Sequence, residues 1–258
     1  MSDKSKEVVI VEAVRTPIGA YKGSLRNMKA HKLGSVVINE ILRRSKINDN
    51  EIDEVIMGQV LTSASGQNPA RQSAIKAGIS NEKTAYTVNQ VCGSGLRSIA
   101  AGYQSILCND SKIVIAGGQE SMTNAPHAIH FRSKKKLEEE NLIDTMIKDG
   151  LWDAFNGYHM GVTAENVAQK WKITRKEQDD FALSSQMKTE IAQKKGNFKN
   201  EIIPTVLKSD EYPRNGMTIE RLEKLKPSFK NNGTVTPGNA SGINDGAAAV
   251  VLMNLNEA

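Results

Sequence analysis

Apolar positions along the first 120 residues follow two rhythms in alternation. Residues 7–11 form a short apolar run that Arg15-Thr16-Pro17-Ile18-Gly19 interrupts, the pattern of a strand followed by a breaker. Leu33, Val36, Val37 and Ile41 recur at three- and four-residue steps and predict a helix. Residues 54–61, 84–91 and 112–116 read as three further strands, the last ended by Gly117-Gly118. Between them, residues 69–77 read as a helix stopped by Gly78. Leu96, Ile99, Ala100, Tyr103 and Leu107 mark one face of another helix. Strands separated by helices predict an α/β domain with a largely parallel or mixed sheet and helices on its faces.

The rhythm changes after Gly118. Residues 120–232 hold few strand-like runs. A charged stretch with Arg132, Lys134, Lys135, Lys136, Glu138, Glu139 and Glu140 reads as a solvated helix or loop. Thr174-x-x-Glu177 is a capping box that opens a helix running to about residue 195. Residues 201–207 are a candidate strand. From Thr234 the chain becomes small and apolar again; Asp245-Gly246 reads as a turn and residues 247–253 as a returning strand. The expected organisation is a core domain over residues 1–120 and 233–258, interrupted by an inserted α-rich domain over residues 121–232.

Composition narrows the class without naming a function. Of the 258 residues, 39% are hydrophobic and 24% charged, as in an ordinary globular protein and unlike disordered, collagen-like or coiled-coil chains. Two cysteines cannot staple a fold. No apolar run approaches the ~20 residues of a membrane helix. The first run lies between Glu7 and Glu12 and is not a signal peptide. A cytoplasmic, reducing compartment and no membrane partner are expected. The net charge of +5 comes from interspersed residues. With no basic stripe and no stacking pattern of aromatics, nucleic acid is not an expected partner.

The chemistry concentrates at Asn89-Gln90-Val91-Cys92-Gly93-Ser94-Gly95-Leu96. A strand ends at Val91, a helix opens near Gly93, and Cys92 sits on the turn. A helix N-terminus presents unpaired N–H groups and partial positive charge, which favour a thiolate. Gly93 and Gly95 allow close approach to the backbone, whose N–H groups are suited to hold an oxyanion. This is a nucleophile elbow rebuilt with cysteine. A lone cysteine at a tight turn also reads as a small buried hydrophobe; the strand–turn–helix context favours the nucleophile. Cys108 has no such loop and reads as structural.

Val91-Cys92-Gly93-Ser94-Gly95-Leu96 resembles the acyl-enzyme motif of the thiolase family. Four other segments resemble that family in the same order. They are Val11-Glu12-Ala13-Val14-Arg15-Thr16-Pro17-Ile18-Gly19, Gly117-Gly118-Gln119-Glu120-Ser121-Met122, Gly157-Tyr158-His159-Met160-Gly161 with Thr163-Ala164-Glu165-Asn166-Val167-Ala168, and Asn239-Ala240-Ser241-Gly242-Ile243-Asn244-Asp245-Gly246-Ala247-Ala248. The Tyr-His-Met-Gly form is most similar to the biosynthetic acetyl-CoA acetyltransferase branch. The resemblance implies a thiolase-like N-terminal core domain, a five-stranded mixed sheet with helices on both faces, with an inserted α-rich CoA-binding loop domain. It implies that Cys92 takes an acetyl group from acetyl-CoA, which a second, deprotonated acetyl-CoA attacks to give acetoacetyl-CoA; the reverse is thiolysis. The CoA thioester is substrate, and no metal or organic cofactor is implied. The Cys92 N–H is expected in an oxyanion hole.

By the same resemblance Leu151, His159, Met160, Arg214, Phe229, Ala240, Ser241 and Gly242 contact CoA, with Arg214 near the nucleotide phosphates. Arg221 stands where a small polar residue is common, which puts that local contact in doubt. Taken singly, His159 reads as a turn histidine, Arg214 as a surface cation, Phe229 as core and Ser241-Gly242 as a turn.

Thiolases also carry a second, similarly folded half with a Gly-His-Pro histidine that activates the nucleophile and a Cys-x-Gly cysteine that acts as base. None of His31, His127, His130 and His159 precedes a proline, and neither cysteine lies in Cys-x-Gly. The C-terminal thiolase domain is therefore expected to be absent from this polypeptide, which would be incomplete or a half with a separate partner. A non-catalytic acyl-CoA-binding relative is the alternative. A ketoacyl-carrier-protein synthase, which shares the fold, fits the long insertion poorly. The missing half predicts an exposed apolar face and association with that half or with further copies, although residues 124–142 resemble the family's tetramer-forming loop only weakly.

Overall fold

Strand residues that are apolar at consecutive positions mark a sheet covered on both faces, and the structure bears this out. The computed structural model describes residues 7–130, 132 and 142–258. The main sheet runs β1 (Val8–Arg15), β10 (Asn244–Asn254), β5 (Ile113–Ser121), β3 (Glu54–Gly58), β4 (Thr84–Val88), with the two-residue β2 (Gly19–Ala20) also on β10. β10 is antiparallel to β1 and β5, whereas β3 is parallel to β4 and β5. The expected five strands form this path, and the sheet is mixed.

Successive strand residues feed opposite layers. Val55 and Met57, Ile115, and Ala249, Val251 and Met253 join one core with α1 (Ala30–Ser45) and α2 (Pro69–Lys76). Ile56, Val114, Ala116 and Leu252 join the other, with Ile106 of α3 (Ser94–Leu107). Leu33, Val37, Ile38 and Ile41 of α1 are fully buried, each contributing ~1.5–3 kcal/mol of hydrophobic stabilisation.

Helix α3 packs differently from its apolar pattern. Its buried stripe is Ser94, Ser98, Gly102 and Ile106, while Leu96, Tyr103 and Leu107 are exposed. Small residues win because the helix lies close on the sheet. A Cβ on Gly102 would stand 2.9 Å from Leu252 Cδ1, and the Ser98 hydroxyl donates to the Gly117 carbonyl at 2.6 Å. The outward apolar residues leave a face that no described residue of the helix's own layer covers.

Several predicted boundaries shift. The strand expected over residues 54–61 ends at Gly58, because the Val60 and Leu61 N–H groups turn to the Glu120 carboxylate. Burial raises the Glu120 carboxyl pKa against the pull of those N–H groups. The strand over 84–91 ends at Val88. Gly117-Gly118 does not stop β5 but lies within it, since a Cβ at Gly117 would come within 2.7 Å of Ala249 Cα on β10. Asp245-Gly246 is strand rather than turn, paired with Ser121 and Glu120. Residues 201–207 give only the bridge Arg15–Ile202, as Pro204 has no N–H for a ladder. The capping box is present, and Thr174 and Glu177 open α5 (Arg175–Lys194). Most of the charged stretch, residues 134–136 and 138–140, lies outside the described residues, as does part of 124–142.

The chain divides into two compact units, with boundaries that differ from the expected 121 and 233. The first holds residues up to Thr145, Asn200–Glu211 and Asn244–Ala258; the second holds Met146–Lys199 and Tyr212–Ile243. Residues 121–130 and 142–145 stay with the first through Asn124, whose amide donates to the Arg26 carbonyl, and through the short pair β6 (His127–Ala128) and β7 (Ile143–Asp144). Residues 200–211 stay with it through Arg15, which donates to Glu201 at 2.7 Å and to both Asp210 oxygens at 2.7 and 3.0 Å.

The second unit contains the hairpin β8 (Trp152–Asp153) and β9 (Tyr158–His159), α4 (Met160–Trp171), α5 and α6 (Ile219–Glu223). Polar contacts hold it together. The buried Glu165 carboxylate of α4 accepts from the Thr234 and Val235 N–H groups at 2.8 Å. Buried Asp179 of α5 accepts from Arg175 at 2.7 Å and Asn239 at 2.9 Å. These bonds draw residues 233–243 into this unit.

Two outcomes check this account. Gly58→Ala places a Cβ 2.6 Å from the Ser94 carbonyl oxygen and is expected to lower stability by about 1–3 kcal/mol, measured by urea unfolding. Asp210→Asn is expected to cost about 1–3 kcal/mol at pH 7. Burial pushes the Asp210 carboxyl up, but Arg15 and the Ile18 N–H outweigh it, so the folded pKa lies below its ordinary value. The wild-type advantage is therefore complete above the unfolded pKa of ~3.9 and disappears as pH falls through the folded one. Unfolding midpoints of both proteins between pH 7 and acid test the sign; a gap independent of pH would refute it.

Candidate active site

The elbow occupies residues 89–93, between the end of β4 at Val88 and the start of α3 at Ser94. Its backbone turns on Val91, which takes φ +49°. The Gly93 N–H donates to the Gln90 carbonyl at 3.0 Å. A positive φ at the first central residue of such a turn, and not at the second, has the φ signs of type II′, which favours glycine there. Cys92, at the second central position, is exposed. The expected elbow is therefore present, with its unusual backbone on the residue before the cysteine.

Side chains flank that backbone. The Asn89 side-chain oxygen accepts from the Val91 N–H at 2.8 Å. The Ser94 hydroxyl donates to the Val91 carbonyl at 2.6 Å and accepts from the Gln90 N–H at 2.9 Å. Gly93 stands at the N-cap of α3, with no capping side chain. The Ser94 N–H is taken by the Val91 carbonyl at 3.1 Å, and the helix turns its positive dipole end toward the elbow, an arrangement suited to a thiolate. The glycines act mainly in packing. Gly58, Gly95 and Gly118 let the first turn of α3 rest on the end of β3 and on the interior of β5: a Cβ on Gly58 would stand 2.7 Å from the Gly95 nitrogen, and one on Gly118 would stand 3.4 Å from Gly95 Cα. Cys108, at the C-cap of α3, is exposed and has no comparable turn.

The eight other predicted site residues belong to the second unit, while Cys92 belongs to the first. His159, Met160 and Phe229 come together. The His159 Nδ1 accepts from the Gly161 N–H at 2.9 Å and so caps α4; with that nitrogen as acceptor, a neutral ring carries its proton on Nε2. The ring stacks on Phe229 with centroids 4.9 Å apart and planes 18° apart. Gly161 is required at its place because a Cβ there would overlap the Phe229 ring. Met160, the first residue of α4, is partly exposed. Leu151 ends a short π-helical turn, Met146–Leu151.

Arg214 is exposed at the start of a loop fastened to α5. Its backbone N–H donates to Gln186 at 3.0 Å, and the Gly216 N–H donates to Glu190 at 3.0 Å. Arg221 donates to the Gly216 carbonyl at 3.2 Å, so the unusual residue closes this loop. Ala240 donates its N–H to the Thr236 carbonyl at 3.1 Å, and Ser241 is exposed. Gly242 leaves room for Tyr212, whose hydroxyl would lie 2.6 Å from a Cβ there. Sequence reasoning did not single out Asn89 or Gly58. Asn89 adjoins the motif, and Gly58 ends a strand that faces the elbow helix, so position in the fold was the missing signal.

A family profile described as "Thiolase, N-terminal domain" matches residues 8–256. The chain is 54% identical over 261 residues to an acetyl-CoA acetyltransferase of Paracoccus denitrificans, covering 98% of this chain and 67% of that protein. It is 49% identical over 269 residues to a cytosolic acetyl-CoA acetyltransferase of Rattus norvegicus, covering 100% and 68%. The crystal structure of the Bacillus anthracis acetyl-CoA acetyltransferase superposes with a TM-score of 0.93 at 37% identity, covering 97% of this chain and 66% of that one. The chain thus spans about two thirds of the length of these relatives.

The stacked pair gives a direct test. Gly161→Ala is expected to displace Phe229 and lower stability by about 1–3 kcal/mol. Adding Phe229→Ala to that variant is expected to cost less than in the wild type, since the stack is already lost. Urea unfolding of the four proteins measures the coupling; strict additivity would show that the two residues do not act together.

Proposed function

The chain belongs to the thiolase family, and from that premise we propose that Cys92 is the acetyl acceptor of a thiolase-type acyltransfer from acetyl-CoA. The observation that carries this reading is the exposed Cys92 on a turn that opens α3, in a chain so similar to acetyl-CoA acetyltransferases. In the first step the Cys92 sulfur bonds to the acetyl carbon, and the carbon–sulfur bond to CoA breaks. The proton given up by the thiol leaves with the CoA sulfur. The tetrahedral oxyanion forms beside the N-terminus of α3, where backbone N–H groups and the helix dipole stabilise it.

The second unit would bind CoA. His159 presents Nε2–H beside the stacked Phe229, and Arg214 offers an exposed cation for the nucleotide phosphates, with Leu151, Met160, Ala240, Ser241 and Gly242 supplying the remaining contacts. The reaction as proposed takes the CoA thioester as substrate and uses no metal or organic cofactor. Condensation needs a second acetyl-CoA deprotonated at its methyl, whose carbon attacks the acetyl carbon on Cys92 and displaces the sulfur. No histidine of this sequence precedes a proline and no cysteine lies in Cys-x-Gly. This polypeptide by itself is therefore proposed to accept acetyl and to stop there. The groups that complete the cycle would come from a further thiolase half. The exposed Leu96, Tyr103 and Leu107 on α3 support such a protein partner, since an apolar helix face beside a reactive turn is otherwise costly to leave in water. No helix among the described residues is long and apolar enough to cross a membrane.

The test is intact mass after incubation with acetyl-CoA. One acetyl group is expected on the wild-type chain and none at this position in Cys92→Ala, with no sustained acetoacetyl-CoA formation. An unmodified Cys92 would favour a non-catalytic acyl-CoA-binding role, and full turnover by this chain alone would overturn the proposed division of labour.

A further inference from the structure

Val91 is β-branched, half-exposed and held at φ +49°. That conformation is rare for any residue other than glycine and rarer for a β-branched one. The residue is 51% exposed, so burial does little to hold it there. What holds it is hydrogen bonding to both flanking peptide groups. Asn89 accepts from the Val91 N–H, and the carbonyl side is taken by Ser94, whose hydroxyl and backbone N–H both donate to it, at 2.6 and 3.1 Å. Ser94 is itself buried, at 4% exposure, and its oxygen is kept in place by the Gln90 N–H.

The peptide unit between Val91 and Cys92 is planar and trans, so its C=O and N–H point in opposite directions. Fixing the Val91 carbonyl on Ser94 therefore fixes the direction of the Cys92 N–H. We propose that Ser94 is a positioning residue for acyl transfer: by holding the Val91 carbonyl it aims the Cys92 N–H at the oxyanion that forms when Cys92 attacks a thioester. Asn89 assists from the other side of Val91. Neither touches the reacting atoms. This inference rests on the reading of Cys92 as the acyl acceptor and adds the group that sets its backbone.

The test compares two reactions of Cys92 in the full chain. Acetylation by 4-nitrophenyl acetate passes through a tetrahedral oxyanion and needs no CoA site. Alkylation by iodoacetamide attacks the same sulfur without an oxyanion. Both are followed by peptide mass mapping at Cys92, with Cys92→Ala as background. Ser94→Ala is expected to slow acetylation about tenfold while changing alkylation by less than about twofold at matched pH, because a misdirected N–H affects only the oxyanion. In a Val91→Gly background, where glycine takes positive φ without strain, the Ser94→Ala loss is expected to shrink toward unity. Equal slowing of both reactions, no slowing of either, or the same loss in the Val91→Gly background would overturn the proposal.

Should Ser94→Ala fail to fold, Asn89→Ala carries the test, since Asn89 is exposed. Selective slowing of acetylation supports the proposal, and its absence overturns it. Lack of acetylation by acetyl-CoA in the wild type would count against the proposed function instead. The two failures remain distinct because the ester does not depend on CoA binding.

Discussion

The turn that carries Cys92 depends on one close approach, the first turn of α3 resting on the bare backbone of β3 and β5. Gly58 and Gly118 end or lie in neighbouring strands, and Gly95 faces them from the helix. With no Cβ on any of the three, backbone meets backbone, and the helix start cannot slide without losing dispersion contacts along its length. Ser98 fastens the same stretch to the Gly117 carbonyl. The elbow at residues 89–93 is a short chord between two fixed points, and its backbone takes the conformation those points leave it. The unusual φ at Val91 lies within that chord and is held by the hydrogen bonds of Asn89 and Ser94.

The two units are stabilised by different means. The first rests on a sheet between apolar layers, with buried side-chain hydrogen bonds such as Ser73 to Gln119 and Gln119 to Gln59 added to it. The second has few fully buried apolar residues, among them Ala168, Leu222 and Val235. Its segments are joined instead by carboxylates that accept backbone and amide N–H groups, Glu165 toward residues 234–235 and Asp179 toward Asn239. Buried charged acceptors of this kind are directional, and losing a partner leaves an uncompensated charge. That favours a defined loop geometry over mere compactness.

Much of this was legible from the sequence where the cause was local. Thr174 and Glu177 announce a helix start because both partners of the capping box lie within one turn. Gly78 ends α2 in a left-handed conformation, φ +96°, that glycine adopts freely. The strand, turn and helix expected around Cys92 are present, because glycines and a small hydroxyl residue mark such a turn locally. Reading failed where the cause lay across the fold. Gly117-Gly118 looked like a strand end, yet the glycines serve the passage of β10 and α3. Leu96, Tyr103 and Leu107 looked like a core face, yet Ser98 and Gly102 are the residues that fit against the sheet. The domain limits at 121 and 233 missed Arg15 reaching Asp210 and Glu165 reaching Thr234, both pairings between residues far apart in sequence. No periodicity encodes such partners.

The place of β10 has a consequence for the order of events during synthesis. This strand, residues 244–254, lies between β1 and β5, and among the described residues β1 pairs with no other strand. Strand β1 therefore waits for β10. Until residue 254 has left the ribosome, β1 and β5 keep open edges, and the α1 side of the core lacks Ala249, Val251 and Met253. Pairing over so long a separation makes closure slow, and unpaired edges invite the wrong neighbour meanwhile. A nascent chain of this design stays vulnerable from the synthesis of β1 until β10 has emerged to pair with it.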